Sequence, residues 1–84
     1  MCRNITPLRG LEPHATSEEI TAAAVQFVRK VAGVTTVTPA TRDAFDRAVD
    51  QIANATTQLL AEMPPRRNPP ATLPPLRRRA ASSP

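Results

Sequence analysis

The chain has 84 residues and a formal net charge of +4, which limits it to a single domain. The charge is uneven, because residues 1–63 carry six Lys/Arg and seven Asp/Glu whereas residues 64–84 carry five arginines and no acid. The larger part is therefore not expected to bind nucleic acid through its charge, and a single cysteine, Cys2, excludes an internal disulfide.

Residues 1–15 are expected to form an extended arm. Pro7, Gly10 and Pro13 interrupt this segment too often for a helix. The arm has no apolar stretch like that of a signal peptide, and no part of the chain has an apolar run long enough to cross a bilayer. We therefore expect a cytoplasmic protein without a membrane span. Three apolar side chains recur at every third position of the arm: Ile5, Leu8 and Leu11.

A first helix is predicted over residues 16–32. Thr16 and Glu19 have the spacing of a capping box, in which each side chain bonds the other residue's backbone N–H. Gly33 can supply the left-handed residue that follows a helix. The apolar residues of this segment recur at helical spacing and form one stripe: Ile20, Ala24, Phe27, Val31 and Val34.

A second helix is predicted over residues 39–63. Thr38 is the expected N-cap, and Pro39 is expected at the first helical position, where its missing N–H has no cost. Pro64 and Pro65 end the helix. Its apolar stripe alternates spacings of four and three: Phe45, Val49, Ile52, Thr56, Leu59 and Met63.

Residues 64–84 have the composition of a disordered tail. They include seven of the ten prolines, and Pro-Pro pairs recur every five residues. Such a segment samples polyproline II and is not expected to bury a core.

These elements predict an all-α fold, a two-helix antiparallel hairpin with the N-terminal arm packed on it. A bare hairpin leaves part of each apolar stripe in water, and two arrangements can cover it. The arm can fold back as part of a monomer, or two hairpins can form a homodimer with a four-helix core.

Several short motifs are distributed over residues 1–63. They are Met1-Cys2-Arg3-Asn4-Ile5, Glu12-Pro13, Ala15-Thr16, Gln26-Phe27-Val28-Arg29-Lys30-Val31 with Gly33, Ala44-Phe45 and Ala48-Val49. In these motifs the sequence resembles a family of short bacterial proteins known as domain of unknown function 2277. The resemblance covers residues 1–63, leaves out the Pro-rich tail, and implies a small helical protein without an assigned activity.

Two small groups of residues could carry chemistry. The thiol of Cys2, with the α-amine that removal of Met1 would expose and with His14, could bind a metal or act as a nucleophile, although the spacing fits no established zinc pattern. Arg3, Arg29 and Lys30 could form an anion site if the arm folds over the first helix. A buried or inert thiol and a solvated basic surface are the plainer interpretations.

We expect no cofactor and no catalysis. The sequence favours a non-enzymatic protein-interaction module with an unknown protein partner. One alternative is nonspecific nucleic-acid binding through the tail, because arginines without neighbouring acids neutralise phosphates. The other is metal or thiol chemistry at Cys2. The tail arginines are Arg66, Arg67, Arg77, Arg78 and Arg79.

Overall fold

The computed structural model contains two packed helices, α1 (Ser17–Ala32) and α2 (Arg42–Glu62). Leu60, near the end of α2, packs against the core cluster that contains Ile20, near the start of α1, as in an antiparallel hairpin. No strand occurs among the described residues, and the predicted all-α class is confirmed. The structure describes residues 4–34, 36–64, 66, 70 and 72–77.

The ends of α1 follow from local sequence. Thr16 is the N-cap: its Oγ1 accepts from the Glu19 N–H at 3.1 Å, and Glu19 Oε1 accepts from the Thr16 N–H at 2.8 Å. Gly33 follows the helix in the left-handed region at φ +69°. The amides of Gly33 and Val34 both donate to the Arg29 carbonyl oxygen, at 2.9 and 3.1 Å. The predicted capping box and glycine cap are confirmed.

The start of α2 differs from the prediction by three residues. Residues 38–41 form a turn in which the Thr41 N–H donates to the Thr38 carbonyl oxygen at 3.0 Å. The Thr41 hydroxyl accepts from the Thr38 N–H at 3.2 Å and makes no capping bond to the helix. Pro39 thus occupies the turn instead of the first helical position, because its fixed φ also suits a turn.

The core is built mainly by the arm and by α1. Leu8, Leu11 and Ile20 form its buried centre, and Leu11 is only 2% exposed. The Asn4 N–H donates to Gln26 Oε1 and fixes the arm on α1. The arm therefore packs on the hairpin as predicted, whereas no residue of α2 is fully buried. Four partly buried residues pack against this core: Ala15, Ala53, Leu60 and Leu73.

The predicted apolar stripe of α1 is only partly covered. Ile20 and Ala24 are buried, but Phe27 is 47% exposed and Val31 is 71% exposed. Phe45 of α2 is half-buried. The buried positions of this stripe lie in the first half of α1, whereas Val28, which lies beside the stripe, is buried in the second half.

Part of the segment predicted as a tail lies on the body. Pro70 and Pro74 are buried, and Leu73 packs against the core. Composition did not indicate this, because a single leucine between prolines has no periodicity to detect. Residues 78–84 lie outside the described residues, and disorder there stays a prediction. None of the described helices has the length and apolar content needed to cross a membrane.

Candidate functional site

The first candidate site is a pocket that holds the guanidinium group of Arg77. Glu19 lies at its base with a side chain only 5% exposed, and the Arg77 side chain is 17% exposed. Arg77 Nε donates to Glu19 Oε2 and Arg77 Nη2 donates to Glu19 Oε1, both at 3.0 Å. This bidentate geometry is specific to arginine, because a lysine ammonium cannot match both carboxylate oxygens in one plane.

Backbone carbonyl groups of the arm complete the arginine pocket. Arg77 Nη1 donates to the Pro13 carbonyl oxygen at 2.9 Å, and Nη2 reaches the His14 carbonyl oxygen at 3.3 Å. The peptide bond between Glu12 and Pro13 is cis. All the acceptors are fixed by the arm and by the first turn of α1, so the pocket is organised by the fold.

The second candidate site is an apolar cleft of about 270 Å³ between the arm, α1 and α2. Ile5 and Phe27 line it, and they are 42% and 47% exposed. Val31 continues the exposed apolar surface one helical turn beyond Phe27. None of the described residues that line the cleft is charged; they are Ile5, Thr6, Leu8, Ala23, Ala24, Phe27, Ile52, Thr56 and Leu60.

Two threonines of the cleft differ in their hydrogen bonding. The Thr56 hydroxyl donates to the Ile52 carbonyl oxygen at 2.7 Å. Thr6 Oγ1 is buried and finds no hydrogen-bond partner among the described residues. A buried hydroxyl without a partner lowers stability, since it has lost its bonds to water.

A larger cavity of about 530 Å³ lies between the arm and the end of α2. Its wall mixes apolar residues such as Leu11 and Leu60 with the polar residues Arg9 and Arg66. Arg9 Nε donates to the Pro64 carbonyl oxygen at 3.0 Å and joins the arm to the chain beyond α2. The described wall shows no pair of titratable groups in hydrogen-bond contact, so we assign no chemistry to it.

The comparisons with known proteins give one family. Residues 1–83 match the family described as an uncharacterized conserved protein (DUF2277). The chain belongs to this family. The match runs beyond residues 1–63, where the sequence resemblance was placed, and includes most of the Pro-rich segment. Comparison with curated proteins and with solved structures gave no match.

In this DUF2277 member, the predicted thiol or metal site is only partly described. Cys2 lies outside the described residues, and His14 is exposed and contributes only its carbonyl oxygen to the arginine pocket. Within the described ranges, no three His, Cys, Asp or Glu side chains are placed to hold a metal ion. The role of Cys2 stays a prediction.

The predicted anion site is also only partly described. Arg29 and Lys30 are exposed in the last turn of α1, where the negative end of the helix dipole stabilises their positive charges. Arg3 lies outside the described residues. The anion site of Arg3, Arg29 and Lys30 therefore stays a prediction.

The tail arginines predicted to bind nucleic acid have different environments. Arg77 is paired with Glu19, so its charge is compensated. The Arg66 side chain packs against Gly10, where an added Cβ would lie 2.8 Å from Arg66 Cβ. Arg67, Arg78 and Arg79 lie outside the described residues.

Sequence reasoning did not predict the arginine pocket. It assigned Glu19 to the capping box alone and Arg77 to a solvated tail. The two residues are 58 positions apart, and no local pattern joins them. The one available signal was Glu19 itself, an acid adjacent to the strongly apolar Ile20 at the start of a helix that packs on the arm.

Proposed function

We propose that this family member is a non-enzymatic, cytoplasmic interaction module that binds a second copy of itself through the apolar cleft. The observation that carries the proposal is the exposure of Ile5, Phe27 and Val31 at a cleft whose described lining residues are all uncharged. The centres of protein interfaces are depleted of charged residues, and this surface carries Phe27, one of the two aromatic residues of the chain.

A second hairpin is the occupant that fits the incomplete packing. The apolar stripe of α2 is only half-buried at Phe45, Val49 and Ile52, and α1 leaves Phe27 and Val31 exposed. Unshielded apolar surface is therefore spread over both helices, which matches another pair of helices better than one short peptide. Two such hairpins form the four-helix arrangement that buries stripes of this kind.

The free energy gained by burying this apolar surface is expected to support only a weak dimer. Fully burying a large apolar side chain contributes about 1.5–3 kcal/mol, and these residues are already partly buried. Association also has an entropic cost of at least about 4 kcal/mol. Self-association is therefore expected to depend on concentration.

Light scattering over a range of protein concentrations tests the proposal. The wild-type mass is expected to rise from monomer to dimer, and Val31→Lys is expected to keep the chain monomeric. Ala32→Lys is the matched control, because Ala32 is exposed on the same helical turn but is rotated away from Phe27. A monomer at every concentration, or equal effects of the two variants, would contradict self-association through this cleft.

A further inference from the structure

The arginine pocket is an independent feature on a different part of the fold. We propose that it is a peptide-binding site whose ligand is an arginine guanidinium carried by a short Pro-rich segment. The chain's own residues 72–77, Thr-Leu-Pro-Pro-Leu-Arg, occupy the site in cis.

The chemistry of the pocket is selective for a guanidinium group. One buried carboxylate and two backbone carbonyl oxygens surround Arg77, and four donor–acceptor contacts of 2.9–3.3 Å are made. Every acceptor except the Glu19 carboxylate is a backbone atom of Pro13 or His14. A planar group with donors along two edges satisfies this arrangement, whereas an ammonium group reaches fewer acceptors.

The segment that carries Arg77 makes its own contacts with the body. Pro74 is buried and Leu73 packs against the core formed by Leu8, Leu11 and Ile20. The Arg77 N–H donates to the Pro74 carbonyl oxygen at 3.0 Å, which closes a turn just before the guanidinium group enters the pocket. The ligand is therefore a short motif with an apolar anchor and a charged end.

The Glu19 carboxylate has a second hydrogen-bond partner besides Arg77. The Thr16 N–H donates to it at 2.8 Å as part of the capping box, so we expect the carboxylate to keep its position when Arg77 is removed. Because residues 72–77 belong to the same chain as the pocket, they occupy it at a high effective concentration, of order millimolar. An arginine-bearing peptide in trans must compete with it.

A peptide titration of the full chain, followed by amide chemical shifts, tests this inference. The probe is the capped peptide Thr-Leu-Pro-Pro-Leu-Arg, and the host is the Arg77→Ala variant, which has no guanidinium group of its own to pair with Glu19. The peptide is expected to shift the amide signals of Thr16 and Glu19. The matched control peptide carries citrulline in place of Arg77, because citrulline keeps the shape and loses the charge. We expect it to bind at least about tenfold more weakly, since a bond to a charged group contributes enough for that factor.

Two further chains complete the test. Wild type is expected to bind the arginine peptide at least about tenfold more weakly than the Arg77→Ala chain, because its own segment competes. The Glu19→Gln/Arg77→Ala chain is also expected to bind at least about tenfold more weakly, while Gln keeps the capping-box acceptor. If Arg77→Ala does not fold, Arg77→Met replaces it as host, because Met keeps an unbranched side chain of similar length and has no group that donates to Glu19.

Equal binding of the arginine and citrulline peptides would overturn the inference. So would equal binding to wild type and Arg77→Ala, or the absence of shifts at Thr16 and Glu19 up to a few millimolar peptide, about the effective concentration of the cis segment. None of these results depends on the oligomeric state, so failure here is distinguishable from failure of self-association.

Discussion

Arg77 and Glu19 form a bidentate ion pair across 58 positions of the chain, with both N–O distances at 3.0 Å. The pair joins the first turn of α1 to the Pro-rich segment, and the same guanidinium group binds two carbonyl oxygens of the arm. One side chain thus connects three parts of the fold.

The first prediction concerns the strength of this pair. Arg77→Ala is expected to lower the free energy of unfolding by about 3 kcal/mol, because it leaves a buried carboxylate without its cation. Arg77→Lys is expected to lose less, since one charged bond remains. Urea denaturation of the two variants measures both effects. A double-mutant cycle with Glu19→Gln is expected to give a coupling energy of about 1.5–3 kcal/mol, and additive losses would show that the pair contributes nothing.

The second prediction compares the two glycines. Both have positive φ, +90° at Gly10 and +69° at Gly33, but a Cβ at Gly33 meets open space whereas one at Gly10 meets Arg66 Cβ at 2.8 Å. Gly33→Ala is expected to lower the free energy of unfolding by about 1 kcal/mol, because of the backbone conformation alone. Gly10→Ala is expected to lower it by about 1 kcal/mol more, since the clash with Arg66 adds to the backbone strain.

The control for the glycine comparison is the double variant Gly10→Ala/Arg66→Gly, measured by urea denaturation against Arg66→Gly alone. Removing the Arg66 Cβ is expected to abolish the extra loss of stability that the clash causes. Only the cost of the backbone conformation at residue 10 then remains. If the loss at Gly10 is the same in the Arg66→Gly background, contact with Arg66 is not its cause.

The third prediction compares the threonines that directly precede the two helices, Thr16 before α1 and Thr41 before α2. Thr16→Ala is expected to lower the free energy of unfolding by about 1 kcal/mol, because Thr16 Oγ1 caps the Glu19 N–H. Thr41→Ala is expected to change it by less than about 0.5 kcal/mol, since the exposed Thr41 hydroxyl bonds Thr38 instead of the helix. Thermal or urea unfolding measures both, and a larger loss at Thr41 would show that it is the effective cap of α2.

The fourth prediction concerns the unpaired hydroxyl in the apolar cleft. Thr6→Val is expected to leave stability unchanged or to raise it by up to about 1 kcal/mol, because it removes a buried oxygen without a partner and keeps the side-chain shape. Thr56→Val is the matched change in the same cleft and is expected to lose about 0.5–1 kcal/mol, since it deletes the 2.7 Å bond to Ile52. A loss at Thr6 as large as at Thr56 would mean that the Thr6 hydroxyl has a bonding partner.

Much of the fold was predictable from the sequence. The capping box of Thr16 and Glu19, the glycine cap at Gly33 and the packing of Leu8 and Leu11 of the arm were all expected and are observed. The start of α2 was placed three residues early, because Thr38 and Pro39 suit a helix start and a turn equally well. Of the proposed sites, the sequence suggested self-association, whereas its one signal for the arginine pocket was the acid Glu19 beside the apolar Ile20.

The sequence by itself determined where α1 begins and ends, because each cap is a bond between residues no more than five positions apart. It also determined the helical class, since apolar spacing is a property of the chain. Only the tertiary structure decided that Phe27 stays exposed while Leu11 is buried. It also decided that Arg77, at the end of a Pro-rich segment, binds Glu19. The physical reason is that burial and ion pairing depend on which distant surfaces meet, and no local pattern specifies a contact across 58 residues.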